Sequence, residues 1–377
     1  MEYPYVAGQL LRSMRLEKNW SQETLCHGIC AVSYLSKIEQ GKVDVNHRIL
    51  EDLFARLNVQ WKDSPEGKAL RDDLYESVFS GDHNESKRLL DILESNWETL
   101  AFGPYYADFV VLRAFCKHDP QLIHKELTPL LDNRQKALVA ILDDRDAESY
   151  RINPCALTAA CAGEASFLSG NYTNALEYYQ ITCDLAAQQG YVYLLMLSHH
   201  TMAACYADMR NIDAMTRHGR IAARIARAVG DREILDTLQY NEAATKVEFG
   251  DFESGYVYFS GLKSPRVLDL HKLAVCCEGL GKVHEGIEAL NQAEQISCTN
   301  PLEREMCAIV RYRLEHPDYL SDDTYGQLLL STFQKIKTEL HPGFERFHLS
   351  WVTEWLCSNR QYRKAFEVLQ NFTNQII

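Results

Sequence analysis

No apolar run in the 377 residues approaches the length needed to cross a bilayer, which argues against an integral membrane protein. Met1–Ala7 has neither the basic start nor the apolar core of a secretory signal, so a soluble, cytoplasmic protein is expected. The marks of common enzymes are missing too. Gly279-Leu280-Gly281-Lys282 lacks the Gly-x4-Gly-Lys-Ser/Thr form of a phosphate loop. There is no Gly-x-Ser-x-Gly elbow and no His-Glu-x-x-His pair. No Cys-x-x-Cys occurs; the twelve cysteines are scattered, often at apolar helical positions such as Cys161, Cys205 and Cys276. Buried free thiols are expected, with oxidant sensing at the adjacent Cys276-Cys277 a remote alternative. His199-His200 has no third ligand at useful spacing. No metal, no cofactor and no enzymatic activity are expected.

Credible strand alternation is absent from about Pro65 onward, and proline and glycine fall mostly at helix junctions, so the expected class is all-α. The net charge of −13 is unevenly divided. Residues 1–62 carry eight Lys/Arg against seven Asp/Glu, and the remainder carries 31 against 45. An acidic body does not hold a polyanion by itself, so any nucleic-acid affinity must come from a local N-terminal surface. Three segments are expected: a domain at 1–62, a linker at 63–70 and a second domain at 71–377.

The N-terminal pattern lies in Ser21-Gln22-Glu23-Thr24-Leu25 and in Leu35-Ser36-Lys37-Ile38-Glu39-Gln40-Gly41-Lys42. A first helix is predicted from about Val6 to Lys18, with Leu10, Leu11 and Met14 on one face. Asn19 sits where the chain must turn sharply, and Asn tolerates the left-handed conformation. Ser21 is the predicted N-cap of the second helix, with Glu23 at the positive end of its dipole. Leu25 and Ile29 point inward, and Gly28 to Ala31 make a tight connection. The third helix begins near Val32 or Ser33 and ends at Gln40, with Gly41 at C′. Leu35 and Ile38 then face the core, which leaves Ser33, Tyr34, Ser36 and Lys37 outward; Leu50, Leu53 and Leu57 close the core.

These residues, SQETL…GIC…YLSKIEQGK, resemble the XRE-type, five-helix lambda-repressor-like helix-turn-helix domain of the RRNPP class of peptide-pheromone regulators. The resemblance implies that Gln22 fixes the second helix on a phosphate. It also implies that Ser33, Tyr34 and Lys37 sit at the major groove, and that Arg15 and Glu39 form a partly buried ion pair. Physics agrees on one point: a third helix enters the major groove only if its outward side is polar and unhindered. Ser36 and Lys42 complete the expected DNA-facing set, and Arg12 and Lys18 are placed for further phosphate contacts. For Tyr34, packing on the domain's own surface competes with a base-edge role. A small reading surface favours two copies, so a homodimer on double-stranded DNA is expected.

From residue 66 onward a helical repeat is expected. Gly163, the Gly170-Asn171-Tyr172 turn, Ala175 and Tyr179 match the tetratricopeptide pattern, in which small residues let paired helices approach. The turn recurs at Arg210-Asn211-Ile212 and Gly250-Asp251-Phe252, at a spacing of 40 residues. Further turns are predicted at Gly81-Asp82-His83, Gly281-Lys282-Val283, Pro317-Asp318-Tyr319 and Arg360-Gln361-Tyr362. Residues 102–151 are poorly patterned and read as helical. Seven to nine helix pairs in a right-handed TPR-like α-solenoid are expected.

Stacked first helices line a concave groove, which suits an extended peptide or a partner helix. Counting back from each turn puts Glu164, Leu197, His200, Thr237, Tyr240, Asn241, Glu248, His271, Lys272, Glu278, Arg311, Glu315, Ser350 and Glu354 on it. The peptide-binding set expected from these is Glu164, His200, Thr237, Tyr240, Asn241, Lys272, Arg311 and Glu354. Asn241 offers both an acceptor and donors to a peptide backbone; Lys272 and Arg311 suit a carboxylate. For each of them a solvated or inter-repeat position is the competing reading. Trp351 and Trp355, at i and i+4, are expected in core packing or a dimer contact. With the resemblance, the repeats imply a quorum-sensing regulator switched by a short signalling peptide. A scaffold that inhibits a protein partner, with DNA binding secondary, is the alternative.

Overall fold

A computed structural model describes residues 3–125, 127–296, 300–340 and 342–376. Among these residues every regular element is helical and none is a strand. The chain begins with α1 (Tyr3–Glu17), α2 (Gln22–Cys26), α3 (Val32–Glu39) and α4 (His47–Arg56). The side chain of Ser21 accepts the Thr24 amide at 3.0 Å, which is the predicted cap. Asn19 (φ +54°) and Gly41 (φ +66°) turn the chain at the ends of α1 and α3. Leu25, Leu35, Ile38 and Leu53 are fully buried. Helix α1 lies so close to α3 that a Cβ on Gly8 would stand 2.0 Å from the Ile38 carbonyl oxygen, a contact only glycine permits.

Four helices, rather than the expected five, lie within residues 1–62. Residues 59–64 carry no helix; there Trp61 stacks on Phe54, with ring centres 4.5 Å apart and planes 11° apart, and the fifth helix follows at Pro65. The expected linker is also largely helical, because α5 (Pro65–Ser80) starts inside it. Ser64 accepts the Gly67 amide at 2.8 Å, and Pro65 occupies the first turn, where its missing N–H costs nothing. The backbone amide of Lys62 donates to the Phe102 carbonyl at 3.1 Å. A Cβ on Gly103 would come within 2.3 Å of the Lys62 carbonyl oxygen. The exit from the N-terminal domain is therefore fastened to the first hairpins, and one hydrophobic core serves both.

The body continues with α6 (His83–Ser95), α7 (Trp97–Leu100), α8 (Tyr106–Lys117), α9 (Asn133–Leu142), α10 (Asp146–Ile152), α11 (Ala156–Leu168) and α12 (Tyr172–Gln189). It goes on with α13 (Val192–Asp208), α14 (Ile212–Val229), α15 (Arg232–Glu248), α16 (Phe252–Ser260) and α17 (Val267–Gly279). The last helices are α18 (Val283–Gln295), α19 (Pro301–Glu315), α20 (Asp323–Glu339), α21 (Pro342–Ser358) and α22 (Tyr362–Ile376). Most predicted turns share one device. Gly81, Gly170, Arg210, Gly250, Gly281 and Arg360 all adopt φ between +59° and +85°. After four of them, the Asp82, Asn171, Asn211 and Asp251 side chains accept the amide three residues on. A left-handed residue ends one helix, and an Asp or Asn starts the next. The Pro317-Asp318-Tyr319 turn departs from this and leads into a short 3₁₀ turn at Tyr319–Ser321.

The poorly patterned zone has a physical cause. Between α8 and α9 the chain makes 3₁₀ turns at Pro120–Leu122 and Thr128–Leu130, and a buried polar cluster stands where apolar contacts would give a periodic signal. Asp108, buried on α8, accepts from the Tyr75 hydroxyl at 2.6 Å and from Gln135 Nε2 at 2.8 Å. Burial pushes its carboxyl above the usual range.

The chain forms two compact units. One comprises Met1–Ala162 with Gln180–Leu195, and the other Gly163–Tyr179 with Met196–Ile377.

Candidate DNA-reading face and ligand cavity

In the first unit α3 presents Ser33 and Lys37 to solvent, Tyr34 and Ser36 half-buried, and Lys42 exposed just beyond its end. Behind α3 sits the ion pair that the resemblance implied. Arg15 Nε and Nη2 donate to the two carboxylate oxygens of Glu39 at 2.7 and 2.9 Å, and Nη1 donates to the Trp20 carbonyl at 2.7 Å. Both side chains are buried. This forked bond ties α1 to α3 and holds the outward face at a fixed angle. Gln22 Nε2 also donates to Glu39, at 2.8 Å, so its amide nitrogen is held by the protein rather than turned to solvent. The Tyr34 hydroxyl donates to the Asp44 carbonyl at 3.3 Å, which holds the ring against the domain surface. Ser36 Oγ accepts from Gln40 at 3.1 Å. Lys37 and Ser33 are left as the unencumbered side chains of α3.

The second unit holds a cavity of about 460 Å³. Its floor is apolar, with Ala203, Ala207, Met215, Ala223 and Ala244 contributed by α13, α14 and α15, and Phe344 and Phe347 by α21. Small residues at these positions allow the close helix approach that the repeat pattern predicts. Four of the eight expected peptide-binding residues line this space: His200, Tyr240, Asn241 and Lys272, as does Glu248. The other four stand elsewhere. Glu164 accepts from the Tyr179 hydroxyl at 2.6 Å. The Thr237 hydroxyl is turned back onto the Glu233 carbonyl at 2.9 Å. Arg311 is held by Asn291, Glu294 and Glu315. Glu354 is exposed on α21, away from the cavity lining. Glu278 and Ser350 line a smaller cavity of about 270 Å³, where Glu278 pairs with Arg313 at 2.7 Å. His271 is buried beside the rings of Phe347, His348 and Trp351 rather than facing a groove, and Leu197 is half-buried outside both cavities. Trp355 packs against Gly326, where a Cβ would stand 2.0 Å from its ring; both tryptophans are core residues.

Arg346 on α21 was not foreseen in the sequence, yet it organises one end of the cavity. Its Nε and Nη2 donate to the Glu248 carboxylate at 2.8 Å each, and Nη1 donates to Asp208 at 2.6 Å and to the Ala207 carbonyl at 3.1 Å. Glu248 lies 98 residues away in the chain, so no local pattern reveals the pair. Arg220, Arg224 and Arg227, which line one wall from α14, were also missed. They had a signal: arginine recurs there at helical spacing, starting with Arg217.

The remaining polar groups are short of partners. Lys272 is only 5 % exposed. Its ammonium lies 2.9 Å from the Phe347 ring centre, with no ion pair among the described residues. Burial drives its pKa down to about 7, against the pull of Glu248. His200 Nε2 is buried without a hydrogen bond, and burial lowers the ring's pKa against the pull of Glu164. By contrast, two carboxylates lining the cavity are taken, Glu248 by Arg346 and Glu242 by Lys246 at 2.9 Å, while Asp208 gives Oδ1 to Arg346 and its Oδ2 is buried without a hydrogen bond.

Residues 11–63 match the family described as Helix-turn-helix. No curated protein matches the chain. Among solved structures it is similar to Bacillus thuringiensis PlcR, in complex with the peptide PapR7 and DNA. That alignment has 13 % identity and a TM-score of 0.34, and it covers 62 % of this chain and 98 % of that one. The N-terminal segment is thus a helix-turn-helix DNA-binding domain of the XRE type. Helical repeats follow it in the chain. No helix among the described residues is long and apolar enough to cross a membrane.

Proposed function

We propose that the chain is a cytoplasmic, homodimeric regulator of the RRNPP type, which reads DNA through α3 and is switched by a short peptide in the second-unit cavity. The observation that carries this reading is the cavity itself. An apolar floor adjoins Asn241, whose side-chain amide has no hydrogen bond among the described residues. An amide with both donors and an acceptor open suits a peptide backbone, whatever the side chains beside it. The peptide acts by population shift, favouring one arrangement of two DNA-binding domains over another. Moving a mostly inactive population to a mostly active one takes discrimination of about 5 kcal/mol.

The test is selection of random DNA duplexes by the full-length protein, repeated with Lys37→Ala and with a pool of synthetic heptapeptides present. The expected result is an inverted-repeat motif, with half-sites about one helical turn or a multiple apart, that Lys37→Ala fails to enrich. If the wild type enriches no motif under either condition, the reading is wrong.

A further inference from the structure

Lys272 presents an unresolved charge. A buried ammonium without a counter-ion is unfavourable, and proteins normally supply a carboxylate or a ring of acceptors. Glu248, the carboxylate that acts on Lys272, is already held by Arg346, and Asp208, whose Oδ2 is buried without a partner, also gives its Oδ1 to Arg346. The Phe347 face offers only partial compensation. His200, whose Nε2 is buried and without a partner, lines the same space, as does the half-buried Asn241. A buried ammonium without an ion pair, a buried imidazole nitrogen without a hydrogen bond and a half-buried amide thus belong to the lining of one cavity.

The wall of α14 adds to this. Arg220, Arg224 and Arg227 line the cavity, are exposed, and have no ion pair among the described residues. Arg220 and Arg224, four residues apart, are separated by a rise of about 6 Å, close to the roughly 6.8 Å between alternate side chains of an extended peptide, and Arg227 follows about 4.5 Å further on. The row therefore suits acidic groups on one edge of an extended ligand.

We infer that the cavity recognises acidic ligands: the bound peptide presents a carboxylate to Lys272 and further acidic groups to Arg220, Arg224 and Arg227. The inference rests on the peptide reading above and specifies its chemistry. The carboxylate completes the charge pair that the fold leaves open. It comes from the peptide C-terminus or from an Asp or Glu side chain.

The test uses immobilised full-length protein and three pools of N-acetylated synthetic heptapeptides, with retained peptides measured by mass spectrometry. The first pool has neutral side chains and a free C-terminus. The second has neutral side chains and a C-terminal amide. The third contains Asp and Glu and is amidated. Retention of the first or the third pool, about tenfold or more above the second, is expected, and which of the two is retained identifies the source of the carboxylate. Lys272→Met, checked for native circular dichroism, should abolish that excess. Arg224→Gln, at an exposed position that leaves the core intact, should reduce retention of acidic peptides severalfold. Equal retention of all three pools would overturn acid recognition and leave the peptide reading standing. So would an excess that neither substitution alters. No retention of any pool would overturn the peptide reading itself, and this inference with it.

Discussion

Replacing Lys272 with methionine should make the protein more stable while damaging ligand binding. The side chain is buried, and the fold lowers its pKa from 10.5 to about 7. The sign follows from proton counting. Between those two values the unfolded chain binds a proton that the folded one does not, so this group's contribution to stability rises with pH across the window. Below about pH 7 the full penalty applies. That fall in pKa corresponds to about 5 kcal/mol of differential interaction. Apolar replacement of buried ions typically recovers about 1–4 kcal/mol. Lys272→Met should therefore raise the unfolding free energy by a few kcal/mol at pH 6. The advantage should shrink by about 3 kcal/mol at pH 9, where the native lysine is already neutral. Urea denaturation of both proteins at pH 6, 7.5 and 9, followed by circular dichroism, measures this. Other titrating groups are common to both chains and cancel in the difference. A stability difference that stays constant with pH, or a variant less stable at every pH, would refute the reasoning.

Other substitutions probe separate parts of the molecule. Lys37→Ala should weaken specific DNA binding by about 1–3 kcal/mol, measured by fluorescence anisotropy, and leave the melting temperature unchanged. In the same assay wild-type affinity should fall steeply with salt, because phosphate contacts release counter-ions; a flat response would count against docking through α3. Glu39→Ala strips Arg15 of its buried partner and should cost about 3–5 kcal/mol in urea unfolding, with the loss confined to the N-terminal domain's transition if two are resolved. Gly8→Ala forces a Cβ into the Ile38 carbonyl and should cost about 1–3 kcal/mol, visible as a lower melting temperature. Asn241→Ala should weaken retention of synthetic peptides by about fivefold without a change in circular dichroism.

The parts of the fold that rest on short-range chemistry were legible. Ser21 capping Thr24, Asn19 in the left-handed region and the six positive-φ repeat turns are each settled within a few residues. Periodicity likewise placed Leu25, Leu35 and Ile38 inside. The cavity was half legible. Positions on the first helices of neighbouring repeats gave His200, Tyr240, Asn241 and Lys272. Counting back failed at Glu164, Thr237 and Arg311 because a tyrosine hydroxyl, a backbone carbonyl and an acidic cluster had claimed those side chains. It also missed Arg346, whose partners come from two helices more than 90 residues earlier. The expected boundary at residue 62 was too early to take in a fifth helix, because the next one, α5, begins at Pro65.

The bond from Lys62 to Phe102, with Gly103 pressed against the Lys62 carbonyl, removes a freedom that many DNA-binding heads possess. A head on a loose tether finds its half-site by swinging, and tolerates spacers of many lengths. A head soldered to its first hairpins carries its orientation with it. Two such heads in a dimer would work as the jaws of a caliper, accepting operators of one gap and one helical phase. Adding or deleting five base pairs between half-sites, half a turn of duplex, should then abolish binding as thoroughly as scrambling the half-sites themselves.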